Sequence, residues 1–160
     1  MKKRPLLLII AGVLLVLLSV GAFTQVTALS YGDLVTKLRA GGATVIAGGA
    51  LQPDTSGPEP STPLLTGTDR LLTVNGERVE VYEYATTVHA AADAARISSD
   101  GSTFSAGFGP LGGSAASVDW IAPPHFYRSG RLIVQYIGTH SDVLAALTQV
   151  LGRQFAGGTL

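Results

Sequence analysis

Residues 70–84, RLLTVNGERVEVYEY, carry the clearest folding signal in the chain. Asn75 and Gly76 stand between two runs rich in β-branched residues, and both residue types accept the positive φ angles of a two-residue hairpin turn. Such a turn pairs Leu72 with Val79. Because side chains alternate along a strand, it also places four apolar residues on one face of the hairpin: Leu72, Val74, Val79 and Val81. The opposite face is mostly polar, which predicts an antiparallel sheet with one buried face.

Three flanking segments have the periodicity and capping residues of helices. Residues 28–42, ALSYGDLVTKLRAGG, predict a helix with Ser30 as its N-cap. Residues 86–97, TTVHAAADAARI, predict an alanine-rich helix after the hairpin. Residues 139–152, THSDVLAALTQVLG, predict a closing helix that Ser141 caps. Each helix would bury its apolar stripe against the sheet.

Further strands are predicted on either side of these helices. Residues 43–51 read as one short strand, and VDWIA at 118–122 reads as another, which the following Pro-Pro pair would end. Residues 125–138, HFYRSGRLIVQYIG, predict a second hairpin with its turn at Ser-Gly. That register pairs His125 with Val134.

Together these elements predict an α+β domain over residues 29–157. Its architecture would be an antiparallel sheet with helices packed on one face, built from two hairpin-plus-helix units and preceded by an N-terminal hydrophobic helix. Two long connections interrupt it, a Pro/Gly-rich loop at 52–69 and a Gly/Ser-rich loop at 98–117.

The N-terminus has the pattern of an export signal. Residues 2–4 are KKR, and the run over 6–23 is apolar and uncharged. This run is longer than the ~7–15 residues of most signal-peptide cores and slightly shorter than the ~20 of a spanning helix. Residues 1–28 are therefore predicted to be either a signal peptide, cleaved after Ala22 or Ala28, or a retained signal-anchor helix. Either way the basic residues stay in the cytoplasm and the domain lies on the extracytoplasmic side, anchored to the membrane or secreted.

Composition excludes several classes of function. The chain has no cysteine, so disulfides, thiol catalysis and cysteine-ligated metals are absent. After residue 28 there are eight basic and eleven acidic residues and no basic cluster, which argues against nucleic-acid binding. His89 and Asp93 lie one helical turn apart but have no third ligand in the pattern, so they predict an exposed pair rather than a metal site. No cofactor is predicted.

The richest stretch in functional side chains is VDWIAPPHFYR, residues 118–128. It lacks the motifs of known nucleophile elbows and phosphate loops, and so does the rest of the chain. A histidine or tryptophan on an apolar strand is more often a core residue than a ligand. If the stretch is functional, its polar and aromatic side chains would converge near the Pro-Pro bend. The candidate ligand- or partner-binding residues are Asp119, Trp120, His125, Tyr127 and Arg128.

Three motifs resemble a family of small uncharacterised bacterial exported proteins, many of them lipoproteins. The motifs are VNGERVEVYEY, WIAPPHFYRSGRLIV and VLGRQFAG, and the similarity spans residues 29–157. The resemblance implies export. It brings no established activity and no catalytic residue. Members often carry a lipid-modified cysteine after the signal, which this chain lacks, so anchoring here would depend on residues 6–23.

Two functional hypotheses follow. The first is a non-catalytic binding or structural module of the cell envelope, in contact with the membrane through residues 6–23 and with an envelope protein or peptide as partner. The alternative is a small hydrolase-like enzyme that uses His125 with Asp119 and Tyr127. A pocket that brings these three side chains within hydrogen-bond reach would favour the enzyme. An open sheet face or an unpaired edge strand would favour a binding module.

Overall fold

A computed structural model of the protein describes residues 28–51, 64–105 and 115–158. These residues form an α+β domain, which confirms the predicted class. The elements in chain order are α1 (Tyr31–Ala40), β1 (Val45–Ala50), β2 (Thr68–Val74), β3 (Glu77–Glu83), α2 (Thr87–Ala94), β4 (Thr103–Ser105), β5 (Ala115–Ser117), β6 (Pro124–Ser129), β7 (Leu132–Ile137), α3 (Ser141–Leu151) and β8 (Ala156–Gly157). The predicted N-terminal hydrophobic helix lies outside the described residues.

The main sheet is antiparallel and has the strand order β1-β2-β3-β7-β6-β8. Its first hairpin, β2–β3, has the predicted register, with Leu72 opposite Val79 and Val74 opposite Glu77. Asn75 and Gly76 have φ angles of 51° and 90°, as a type I′ turn requires. The four apolar side chains of the predicted inner face are all buried.

The second hairpin, β6–β7, differs from its predicted register by two residues. Its turn is Gly130-Arg131, because Ser129 lies opposite Leu132, so His125 pairs with Tyr136 and not with Val134. Only the first turn residue, Gly130, has a positive φ (58°), which is the glycine position of a type II′ turn. A shift of two residues leaves every side chain on its predicted face, because strand side chains repeat with period two.

Helices cover both faces of the sheet, so the prediction of helices on one face is wrong. On the first face α1 and α3 pack over the central strands, in a cluster that includes Leu34, Leu38, Leu72, Val79, Tyr127, Val134, Val143 and Leu147. On the second face α2 packs with the segments around β4, in a cluster that includes Leu65, Tyr84, Ala90, Ala94, Ile97, Phe104, Phe126 and Ile133. Strands β6 and β7 are therefore buried on both sides, which explains the continuous apolar run LIV in β7.

The helix ends agree only in part with their sequence signals. In α1 Ser30 is the N-cap, as predicted, and its side chain forms a capping box with Asp33. In α3 the N-cap is His140 and makes no side-chain capping bond, so the prediction that Ser141 caps this helix is wrong. Because it lacks this cap, α3 depends on tertiary burial of its apolar stripe: Val143, Leu147 and Leu151.

Both predicted loops are shorter than their composition indicated. Strand β2 begins at Thr68, inside the predicted loop 52–69, of which residues 52–63 lie outside the described part. Strands β4 and β5 pair with each other inside the predicted loop 98–117. The predicted strand 118–122 is irregular instead. Its backbone follows the edge of the second-face cluster, where Trp120 and Val118 pack.

A buried carboxylate on α2 connects this helix to the sheet. Asp93 accepts hydrogen bonds from the backbone N–H of Thr66 (2.6 Å), the Thr66 hydroxyl (2.8 Å) and the Tyr84 hydroxyl (2.9 Å), and it pairs with Arg96 (3.0 Å). Burial alone would raise the pKa of Asp93, but these hydrogen bonds outweigh it and lower the pKa. The prediction that His89 and Asp93 form an exposed pair is therefore wrong for Asp93, because this residue is buried.

Asp93→Asn is expected to destabilise the domain by about 2–3 kcal/mol. The amide cannot accept all the hydrogen bonds of the carboxylate and would leave buried donors of Thr66 and Tyr84 unsatisfied. Urea denaturation followed by circular dichroism measures the effect. Asp119→Asn is the matched control. Because Asp119 is exposed, its substitution should change stability by no more than about 0.5 kcal/mol. Equal effects of the two variants would contradict the connecting role of Asp93.

Candidate functional site

The five candidate residues of the 118–128 stretch are distributed over both sides of the sheet. His125 and Tyr127 lie on the first face. Trp120 lies in the second-face cluster, and Arg128 is exposed on the same side, since it alternates with Tyr127 along β6. Asp119 is exposed before β6 and forms no ion pair with Arg128 or any other described residue. The structure therefore does not bring these residues into one site.

His125 is held on both sides of its ring by structural contacts. The imidazole stacks on Tyr136 with ring centroids 6.0 Å apart. Its Nδ1 lies 2.7 Å from Oε1 of Gln154, and its Nε2 lies 3.0 Å from the carbonyl oxygen of Gly138. Since both nitrogens are engaged, the ring is not available to a substrate in this conformation. The catalytic hypothesis needed hydrogen bonds from His125 to Asp119 and Tyr127, and none is present among the described residues.

Trp120 is a packing residue with one polar attachment. Its indole N–H donates to the carbonyl of Gly101 at 2.9 Å. Its ring makes edge contacts with Phe104 and Phe126, each with centroids 6.3 Å apart. Such an arrangement contributes to the second-face core and satisfies the indole donor. The side chain is thus an anchor for the irregular segment 118–123 and not an open stacking platform.

A different candidate site lies on the second face of the sheet. Helix α2 has only eight residues, about 12 Å at 1.5 Å per residue, so it covers only one end of that face. The other end, over β3 and β7, forms an open cavity of about 390 Å³. We call this cavity the groove. Its lining residues are Arg78, Glu80, Ile121, Gln135 and Ile137.

The polar side chains of the groove are fixed by one another. Arg78 Nη2 lies 2.8 Å from Oε1 of Glu80, and the Tyr82 hydroxyl donates to Oε2 of Glu80 at 2.9 Å. The carboxylate is therefore held from two sides. Tyr82 is mostly buried, and burial raises its pKa, with the charge of Glu80 adding to the effect, so its hydroxyl remains a hydrogen-bond donor.

Gln135 is the most buried polar residue of the groove, with 6% of its surface exposed. Its Oε1 lies 3.5 Å from the Tyr82 hydroxyl, a long contact. Within the described residues its amide NH₂ donates no hydrogen bond. A polar residue with this environment at the bottom of an open cavity is suited to receive a ligand acceptor.

Apolar residues form the opposite part of the groove lining. Ile121 is 99% exposed, which is unusual for a large aliphatic side chain next to a cavity. Ile137, at the end of β7, is partly buried. The groove thus combines hydrogen-bonding groups at its base with aliphatic side chains beside them, the mixture typical of ligand-binding sites.

Asp69 lies on the same face, opposite Tyr82 in β2. Its Oδ1 is buried and has no hydrogen-bond partner in the described part of the chain. Burial, together with the nearby charge of Glu80, raises the pKa of Asp69 to about 6. The carboxyl group therefore gains a proton at a pH where an exposed aspartate stays ionised.

Sequence reasoning missed the groove, although part of its signal was present. Arg78, Glu80 and Tyr82 alternate along β3 and were predicted to form the polar face of the first hairpin. Gln135 is the one polar residue in the apolar run LIVQYI, an interruption that marks a buried polar position. That the two positions meet depends on the pairing of β3 with β7, in which Glu80 lies opposite Gln135.

Two kinds of site are absent from the described residues. They contain no group of three or more His, Asp or Glu side chains placed to hold a metal ion. None of the helices in this part of the chain has the length and apolar character needed to cross a bilayer. The predicted leader, with the apolar run over 6–23 and the cleavage position Ala22, lies outside the described residues, which begin at Ala28.

Comparison of the chain with protein-family models, with curated proteins and with solved structures gave no match. The resemblance to exported bacterial proteins therefore stays a prediction. What the chain does has to be inferred from its own residues.

Asp69→Asn is expected to change how stability depends on pH. Because the folded pKa of Asp69 is raised, the folded chain binds this proton more readily than the unfolded chain between pH 3.8 and about 6. This residue therefore adds stability as the pH falls from 7 towards 4, and the variant should lose that gain. Asp93 has the opposite effect on stability as the pH falls. Because its pKa is lowered in the folded chain, its stabilising contribution is present above pH 3.8 and is lost below it.

Melting temperatures of the wild type and Asp69→Asn, measured from pH 4 to pH 7, test this expectation. The difference between the two proteins should vary through this interval and be constant above it. Asp100→Asn is a control, because hydrogen bonds from Ser98 and Ser102 lower the pKa of Asp100 to about 2, below the interval. A difference between wild type and Asp69→Asn that does not vary with pH would contradict the raised pKa.

Proposed function

We propose that the chain is a non-catalytic binding module of the cell envelope and that the groove is its binding site. One observation carries the proposal. Gln135, a residue with 6% of its surface exposed, lines an open cavity, and its amide NH₂ donates no hydrogen bond within the described residues, next to the fully exposed Ile121. A ligand that accepts from Gln135 would gain a hydrogen bond in the groove, and covering Ile121 would remove apolar surface from water.

The lining favours a short peptide segment as the ligand. A peptide carbonyl can accept from the Gln135 amide or from Arg78, and a peptide N–H can donate to Glu80. Ile121 and Ile137 offer an apolar contact to a peptide side chain. The cavity of about 390 Å³ lies at the smaller end of the range for ligand sites, so only a few residues would fit.

The same geometry favours binding over catalysis. Glu80 is already hydrogen-bonded to Arg78 and Tyr82, so it is not poised as a general base. Among the described residues, the groove lining holds no serine, threonine or histidine that could serve as nucleophile with an adjacent base. His125, on the other face, is engaged at both nitrogens.

The location of the module is inferred from the N-terminal sequence. The basic residues 2–4 and the apolar run 6–23 support insertion into the membrane with the domain on the extracytoplasmic side. The module is then either tethered by this segment or secreted after cleavage. In both cases the groove would meet peptides or extended segments of other envelope proteins.

Gln135→Leu is expected to weaken peptide binding about five- to tenfold. The substitution keeps the volume but removes the donors at the base of the groove, and one hydrogen bond to a buried group is worth about 1–1.5 kcal/mol. A displayed library of random short peptides, selected against the wild-type chain, supplies the probes, and fluorescence anisotropy measures affinity. Gln149→Leu, on the exposed surface of α3, is the matched control and should bind as the wild type does.

Two outcomes of this experiment would overturn the proposal. One is that the selection yields no binder to the wild-type chain. The other is that binders are recovered whose affinity is the same for wild type, Gln135→Leu and a second groove variant, Ile121→Asp. Circular dichroism and melting curves establish that each variant is folded.

Fractionation of cells that express the full chain is expected to place it outside the cytosol. A retained anchor gives the intact mass in the membrane fraction, because the apolar run cannot leave the bilayer. A cleaved leader gives a mass that lacks the residues up to Ala22 or Ala28, in the periplasm or medium. Mass spectrometry of each fraction distinguishes the two. Full-length chain recovered as a dissolved cytosolic protein would contradict export.

A further inference from the structure

The outer edge of β1 is an unpaired sheet edge within the described residues, since β1 ends the strand order and pairs only with β2. Its sequence, VIAGGA from Val45 to Ala50, contains no charged residue and no proline. Soluble proteins usually protect an edge strand with such residues, because its exposed N–H and C=O groups can pair with another strand. Ile46 on this strand is 65% exposed.

Strand β1 is held in place for such pairing. The register of β1 with β2 shifts between Ala47 and Ala50, where the ladder is irregular. The hydroxyl of Tyr31 lies 2.9 Å from the carbonyl oxygen of Gly48 and 3.0 Å from that of Leu71, which connects the two strands at this shift. The edge is therefore already ordered in the isolated chain, and a partner strand would not have to pay for ordering it.

The opposite edge of the sheet cannot offer the same surface. It is β8, which has only two residues, Ala156–Gly157. Gly157 has a φ of 85° and packs directly on the carbonyl of Pro124, so the strand cannot continue in extended form. A head-to-tail contact of β1 with β8 of another copy would therefore pair two residues at most.

We propose that two copies of this chain associate through β1, with their β1 strands antiparallel across a two-fold axis, so that one sheet continues through both copies. This arrangement is the one edge-to-edge contact of the described sheet in which both strands are long. The assembly is complete at two copies, because the described sheet of each copy has one long free edge strand, β1. An uncharged edge also suits an identical partner, since it presents no charge pattern that a partner of opposite charge would match.

The side chains of β1 fit this pairing. Ile46 is followed by four small residues, AGGA, and the space beyond Gly49 is open. In an antiparallel pair the Ile46 side chain of each copy can lie over small residues of the partner strand, where no large side chain opposes it. The pairing would thus bury the exposed Ile46 side chain together with the unpaired backbone groups of the strand.

The association has a consequence for binding that rests on the proposed function. A two-fold axis perpendicular to the sheet keeps equivalent faces on the same side, so both grooves would open in one direction. Two grooves on one assembly would bind a repetitive or surface-attached partner more tightly than a single groove. The association itself does not depend on what the grooves bind.

The full chain, purified in a mild detergent, tests the association by analytical ultracentrifugation over a range of micromolar concentrations. The wild type is expected to form a dimer. Ile46→Lys and Gly49→Lys place a charge on the edge and should weaken dimerisation at least tenfold. Gly49 serves as the second variant because an added Cβ meets no atom within 4 Å, so its substitution does not disturb the monomer.

Val88→Lys is the matched control, because Val88 is an equally exposed apolar residue (71%) on α2, away from the edge. It should dimerise as the wild type does. A monomeric wild type overturns the proposal. A dimer that survives both edge variants also overturns it, because association through the leader segment would behave in this way. Peptide binding by a monomeric wild type would leave the proposed function intact while excluding the dimer.

Discussion

The pairing of β3 with β7 is the contact on which the rest of the domain depends. Each hairpin alone would be marginally stable, because two strands cannot bury their own apolar face. Once β3 and β7 pair, Val79 lies opposite Tyr136 and Val81 opposite Val134, and the two apolar faces merge into one surface that α1 and α3 cover. Burial on that surface supplies the main hydrophobic stabilisation of the domain.

The two faces of this sheet are covered to different extents. The first face is closed by two helices, α1 and α3. The second face is covered only at one end, by the short α2 and the segment around β4, and Asp93 fastens this cover to the sheet through Thr66 and Tyr84. The uncovered end is the groove. The proposed binding site therefore lies where the helical cover is too short for the sheet, and the groove's polar residues belong to strands whose other faces are rigidly packed.

The sequence and the structure agree where local chemistry decides the outcome. Asn75-Gly76 specified the first hairpin and its register, because few residue pairs accept its turn. The predictions were wrong where the structure depends on contacts between residues that are distant in sequence. The turn at Gly130 was misplaced by one residue, since both Ser-Gly and Gly-Arg satisfy a two-residue turn and a shift of two keeps the same faces. The five residues of 118–128 were grouped because they are adjacent in the chain, but strand alternation sends His125 and Arg128 to opposite sides.

By itself, the sequence determined the α+β class, the positions of the three described helices, the inner face of the first hairpin and the apolar leader predicted to direct export. These follow from turn chemistry, capping and periodicity, which act over a few residues. Only the tertiary structure decided that α2 packs on the second face, that Glu80 meets Gln135 across β3 and β7, and that β1 is an edge. Each of these depends on strand order, and strand order is set by which buried surfaces fit together over the whole domain.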